Sequence, residues 1–115
     1  MVLWIGFDLQ AEIEAVDDSN STALHYAAAN GKKAVAAQLL QAGASVSAVN
    51  DKGQTSLNLA AYSGKSSIAN LLLQANASPT VVNEYGDTPA RDAKRQGHGD
   101  LAARLLEAEQ AAALK

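Results

Sequence analysis

The chain contains no cysteine, which removes disulfides, thiolate zinc sites and a cysteine nucleophile together and excludes a secreted disulfide scaffold. It also has no basic excess. Nine Lys and Arg against twelve Asp and Glu leave a formal charge of −3, the wrong balance for the broad positive surface that nucleic acid or anionic membranes select for. The apolar stretch Val2-Leu3-Trp4-Ile5-Gly6-Phe7 is far too short to span a bilayer and has no basic leader. With no signal peptide, no lipidation motif and no thiol to protect, the expected location is cytoplasmic, with the nucleus as the alternative. What is present is enough for one core: 115 residues, 48% hydrophobic and 18% charged, bury roughly two thirds of their unfolded surface without staples.

Self-comparison shows a strict internal period. The segment STALHYAAANGKK recurs as QTSLNLAAYSGKS and again as DTPARDAKRQGHG, with Thr22, Thr55 and Thr88 spaced 33 residues apart. The same offset aligns Gly31 with Gly64 and Gly97, Val35 with Ile68 and Leu101, and Leu39-Leu40 with Leu72-Leu73 and Leu105-Leu106, without gaps. Upstream of each threonine, the segments beginning at Ala11, Ala44 and Ala77 also match. A fixed period of this size predicts a stack of identical supersecondary units. The units are expected at 17–49, 50–82 and 83–115, preceded at 1–16 by the second half of a truncated one. The chain is thus read as opening in the middle of a repeat.

Each unit reads as a helical hairpin. Leu24, Ala27 and Ala28, like Leu57, Ala60 and Ala61, have the i, i+3, i+4 spacing of one helical face. The preceding threonine suits an N-cap, and Pro89 suits the first helical position. Gly31, Gly64 and Gly97 fit the left-handed residue that ends such a helix. A second helix carries Val35, Leu39 and Leu40 and their repeats, closing at Gly43 or Asn76. Between pairs, Asn20, Gly53 and Gly86 tolerate positive φ and predict tight turns at the tips of extended fingers. One pair cannot bury its own leucines, so stacking is required.

These residues resemble the ankyrin repeat family, whose signature is TPLHxA at the first helix of a 33-residue unit. Thr22-Ala23-Leu24-His25-Tyr26-Ala27 matches except for Ala23, Thr55-Ser56-Leu57-Asn58-Leu59-Ala60 departs twice, and Thr88-Pro89-Ala90-Arg91-Asp92-Ala93 keeps the proline but loses Leu and His. The resemblance implies an all-α repeat solenoid of stacked helix-turn-helix units with β-hairpin-like connecting turns, used to bind proteins and not for catalysis. Ala90, Arg91, Asp92, Lys94, Arg95 and Gln96 make the last first helix polar, as the outer face of a C-terminal cap should be. Leu3, Trp4, Ile5 and Phe7 fall on a second helix without its partner. That end is expected to pack against upstream sequence or a second copy, so the chain is a monomer or associates weakly.

No constellation for chemistry emerges, and no catalytic, cofactor or metal site is expected. His25 sits inside the repeat motif and is read as bonding backbone between adjacent units, while His98 is read as a solvated turn residue. Asp17-Asp18 and Glu107-Glu109 are solvated charges, with no cleft to hold them in unlike environments. Gly97-His98-Gly99 is a helix turn lacking any phosphate-loop context. The basic cluster Arg91, Lys94 and Arg95 serves solubility or binding.

The resemblance also gives a candidate surface, formed by the finger tips and the exposed side of the first helices. By register these are Asp18, Ser19 and Ser21, then Asp51, Lys52 and Gln54, then Glu84, Tyr85 and Asp87. The helix ends add Ala29 and Asn30, Tyr62 and Ser63, and Arg95 and Gln96. Asp18, Asp51 and Glu84 repeat a negative charge at one tip position, and Tyr62 and Tyr85 offer large area at low entropy cost. The expected partner is a protein or peptide with basic residues among apolar ones. Two alternatives share these features: a regulatory or targeting segment of a larger enzyme or transporter, and a scaffold that self-associates through its apolar N-terminal end.

Overall fold

A computed structural model of the chain describes residues 14–114. The expectations for residues 1–13, including a helix bearing Leu3, Trp4, Ile5 and Phe7, lie outside them. Three helix pairs follow in order: α1 (Ala23–Asn30) with α2 (Lys33–Gln41), α3 (Ser56–Tyr62) with α4 (Ser66–Gln74), and α5 (Pro89–Arg95) with α6 (Gly99–Ala113). First helices pack on one another, α1 on α3 and α3 on α5, while α2 packs on α4. The result is an elongated stack of 44 × 27 × 26 Å. Ala27, Ala28, Ala60, Ala61 and Ala93 are at most 4% exposed and let the first helices approach closely. Leu24, Leu57, Ile68, Leu72, Leu101 and Leu105 fill the space behind them.

Local chemistry starts and stops each element. Thr22, Thr55 and Thr88 are extended N-caps whose hydroxyls accept the backbone N–H of His25, Asn58 and Arg91, each satisfying one free donor of the first turn. Gly64 turns the chain between α3 and α4 at φ 71°, and Asn76 ends α4 at φ 70°. Gly64 is also needed for space, since a Cβ there would lie 2.6 Å from His98 Cε1. His98 is therefore not the solvated turn residue expected. Its ring covers Gly64 of the preceding unit, and its Nε2–H donates to the Tyr62 carbonyl at 3.2 Å. Lys65 covers Gly31 in the same register. Gly64→Ala should accordingly cost about 2 kcal/mol from the left-handed backbone and the displaced ring. Gly97→Ala, at φ 80° with nothing near its Cβ, should cost only the backbone part, about 1 kcal/mol. Urea midpoints of the two variants measure the difference, and equal costs would mean that the His98 contact contributes nothing.

Position in the stack decides burial. In one register Ile68 and Leu101 are 1% and 3% exposed but Val35 is 47% exposed. Leu101 is covered by the preceding unit, so this position packs backward, and Val35 belongs to the first of the described pairs. At the far end Arg91, Lys94, Arg95 and Gln96 are exposed. Asp92 is not among them: it is 5% exposed and turned inward. The outer face is also not wholly polar, because Leu106 is 45% exposed beside Ala102 and Ala103 in an open groove.

Candidate finger-side recognition site

Each finger is organised by one Asx side chain. Asp17 Oδ1 accepts the amides of Ser19 and Ser21, both at 2.9 Å. Asn50 Oδ1 accepts those of Lys52 and Gln54, both at 3.0 Å, and Asn83 Oδ1 those of Tyr85 and Asp87 at 2.9 and 3.1 Å. Such side chains mimic backbone and fix a tight turn. The backbone closes across each finger, from Asp17 N–H to Ser21 O, Asn50 N–H to Gln54 O and Asn83 N–H to Asp87 O. These are hairpin-like turns, and no strand forms among the described residues. Neighbouring fingers are tied by one backbone bond each, Asp51 N–H to Ser19 O and Glu84 N–H to Lys52 O, both 2.9 Å.

The motif histidine ties fingers to helices. His25 Nε2–H donates to the Gln54 carbonyl of the next finger at 2.9 Å, and Nδ1 accepts from the Thr22 amide at 3.0 Å and its hydroxyl at 2.9 Å. This network assigns the Nε2–H tautomer. Asn58 does the same work with a shorter side chain. Its Oδ1 accepts from the Thr55 amide and hydroxyl, but its Nδ2 reaches only Val81 O, at 3.4 Å. Arg91, at the same position of the third pair, bends back to Gly86 O at 3.2 Å. His25→Ala removes one of the two hydrogen bonds on the part-buried Gln54 carbonyl, leaving that from Asn50 N–H, and opens the cap. It should lower stability by about 2 kcal/mol, and His25→Asn by about half of that, both read from chemical denaturation; equal losses would show that the reach to Gln54 is immaterial.

Two small cavities lie along this side. The first, ≈ 210 Å³, is lined by Ser19, Ser21, Tyr26, Asn50, Asp51, Lys52 and Gln54. The second, ≈ 200 Å³, is lined by Gln54, Tyr62, Asn83, Tyr85, Asp87, Asp92, Arg95 and Gln96. Gln54 belongs to both, so they adjoin. Asp18, Glu84, Asn30 and Ser63 line neither. Asp18 and Glu84 are exposed at the tips, Asn30 bonds back to Tyr26 O at 2.9 Å, and Ser63 caps α3. Tyr26, Asn50, Asn83 and Asp92 join the set without having been expected there.

Asp87 departs from the reading of an open tip. It is 4% exposed, and its Oδ1 lies 3.3 Å from Arg95 Nη2 without accepting a hydrogen bond. Asp92 Oδ2 receives one long bond, from Asn83 Nδ2 at 3.4 Å. Burial pushes the Asp92 carboxyl up to about 6 and the Asp87 carboxylate adds to the rise, while the amides of Asn58 and Asn83 and the charge of Arg95 pull the other way. Around the fingers, the Tyr26 hydroxyl donates to Asp17 Oδ2 and Asn20 Nδ2 to Asp51 Oδ1. Negative charge therefore predominates along this side, with Lys52 and Arg95 interspersed. No three His, Asp or Glu residues among those described converge as a metal site, and no helix among them is long and apolar enough to cross a membrane.

A family model of ankyrin repeats in three copies matches residues 3–83, well over half of the chain. The third helix pair lies beyond the matched segment, in keeping with its polar departures from the motif. No curated protein matches the chain.

Proposed function

The chain belongs to the ankyrin repeat family, whose repeats generally serve as protein–protein interaction modules, and from that premise we propose a non-catalytic recognition module that binds a partner protein or extended peptide on its finger side. The observation that carries this reading is the pair Tyr62 and Tyr85. They are 50% and 60% exposed and border one cavity continuous with its neighbour through Gln54. Large apolar groups left in water beside polar hydrogen-bonding groups are the composition of a binding hot spot. The set also includes Ser19, Ser21, Asp51, Lys52, Arg95 and Gln96, with Asp18 and Glu84 at the tips, Asn30 and Ser63 at the helix ends, and Asp87 beside Arg95. The tip carboxylates favour a partner in which basic residues alternate with apolar ones. The absence of cysteine fits a reducing compartment, the cytoplasm or the nucleus.

A quantitative pull-down compares the chain with a variant carrying Tyr62→Ala, Tyr85→Ala and Asp51→Lys, all at exposed positions and checked for folding by circular dichroism. The variant should bind the captured protein at least about 30-fold more weakly. Equal capture by both would overturn the finger-side reading.

A further inference from the structure

The cavity between the second and third fingers has aromatic sides and an acidic, undersatisfied floor. Tyr62 and Tyr85 leave half or more of their surfaces in water at its edge. Asp87 and Asp92, both at most 5% exposed, line its interior. Asp92 is held by the side-chain amides of Asn58 and Asn83, the latter at a long 3.4 Å, and Asp87 Oδ1 is buried without a hydrogen-bond partner. Arg95, the cation among the described residues that line the cavity, lies 3.3 Å from Asp87 and leaves 66% of its side chain in solvent. Two buried carboxylates facing one loosely held guanidinium leave a negative charge uncompensated, an expensive state in a closed site.

The repeat frame does not require a carboxylate at this position. The residues in the register of Asp92 are Tyr26 and Leu59, and an apolar side chain would fill the space without the charge. An anion would be repelled here, and a neutral peptide group would leave the charge unmatched. A planar or compact cation would be held by the buried carboxylates together with the tyrosine rings at the edge. We propose that this cavity takes the cationic side chain of an arginine or lysine on the partner, seated against Tyr62 and Tyr85 and over Asp87 and Asp92. The inference rests on the recognition reading above and gives it a chemical anchor. The groups facing that cation are Tyr62, Tyr85, Asp87, Asp92 and Arg95, the last moving aside or sharing Asp87.

The test is an amide chemical-shift titration of the whole 115-residue chain with N-acetyl-arginine methylamide, N-acetyl-lysine methylamide and the uncharged citrulline analogue, at about pH 7.5 where Asp92 is ionised. Saturable shifts at Tyr85, Asp87, Asp92 and Gln96 are expected with either cation and not with citrulline, and the two cations separate guanidinium from ammonium preference. Asp92→Asn should weaken the response about fivefold or more. Arg95→Gln, at an exposed position, should strengthen it about threefold by freeing Asp87. No saturable shift with either cation, equal shifts with citrulline, or indifference to both substitutions would overturn the proposal. If that happens while partner capture still depends on the finger side, only the cation assignment falls. If cation-selective shifts appear while capture ignores the finger-side substitutions, the cavity stands and the recognition reading falls.

Discussion

Asp92→Asn should make the protein more stable by about 3 kcal/mol at neutral pH, an unusual sign for a substitution at a buried position. The argument is one of linkage. An aspartate in the unfolded chain titrates near its ordinary value of 3.8, whereas burial and the Asp87 carboxylate push the folded-state value to about 6. Between those values the folded protein binds more protons than the unfolded chain, so stability falls as pH rises through this window and stays lower above it. Asparagine keeps the shape and carries no charge to desolvate. The advantage of the variant over the parent should therefore be full above about pH 7 and shrink toward zero as pH falls through about 4. Urea unfolding of both proteins across this range measures it, and the difference cancels every other titrating group. A constant difference, or a loss at pH 7, would mean that Asp92 is not an uncompensated charge. The same substitution should weaken cation binding, so stability and recognition move in opposite directions at one residue.

The second large effect is expected at the centre of the core. Leu57 is fully buried in the middle pair, against which both flanking first helices pack. Leu57→Ala should cost about 3–4 kcal/mol, the lost transfer energy plus the cavity left by a side chain whose neighbours are already close-packed alanines. In a repeat stack, stability is a sum of unit terms and nearest-neighbour interfaces. A central defect weakens both interfaces between the described pairs at once, whereas Leu24→Ala touches one of these two. Thermal unfolding followed by circular dichroism should drop by more than ten degrees, about 4–8 °C per kcal/mol at this size, and should broaden as the units lose mutual support. A loss below about 1 kcal/mol would contradict a core continuous through the middle pair.

The architecture was legible in the sequence because its signals are local and repeated. A threonine that can cap, a residue that tolerates positive φ and a leucine pair at constant offset each carry their own physical reason, and the period aligns them. The Asx residues at 17, 50 and 83 carry the same kind of signal, and register alone could have identified them. What escaped depends on neighbours in space. Asp92 shares a register with exposed Tyr26 and half-buried Leu59, so only the third finger folding over it determines its burial. His98 follows a glycine in the turn before a helix and reads as solvated until the preceding unit places Gly64 beneath its ring. The tip and helix-end positions follow from register, but the pairing of Asp87 with Arg95 does not, because the two stand on different elements of one unit.

The ties between fingers have a mechanical consequence. The first joint is fastened by the Asp51–Ser19 backbone bond, by Asn20 on Asp51 and by His25 on Gln54 at 2.9 Å. The second has the Glu84–Lys52 backbone bond but only a 3.4 Å reach from Asn58 to Val81, while His98 clasps Tyr62 from the helix-turn side. The fingers are thus joined by shorter hydrogen bonds at the first junction than at the second, and the second is where Tyr62, Tyr85 and the two carboxylates meet. A partner seated there would bridge the two fingers that the longer bond joins, so occupancy should be felt as curvature and rigidity of the whole face as well as contact at one cavity.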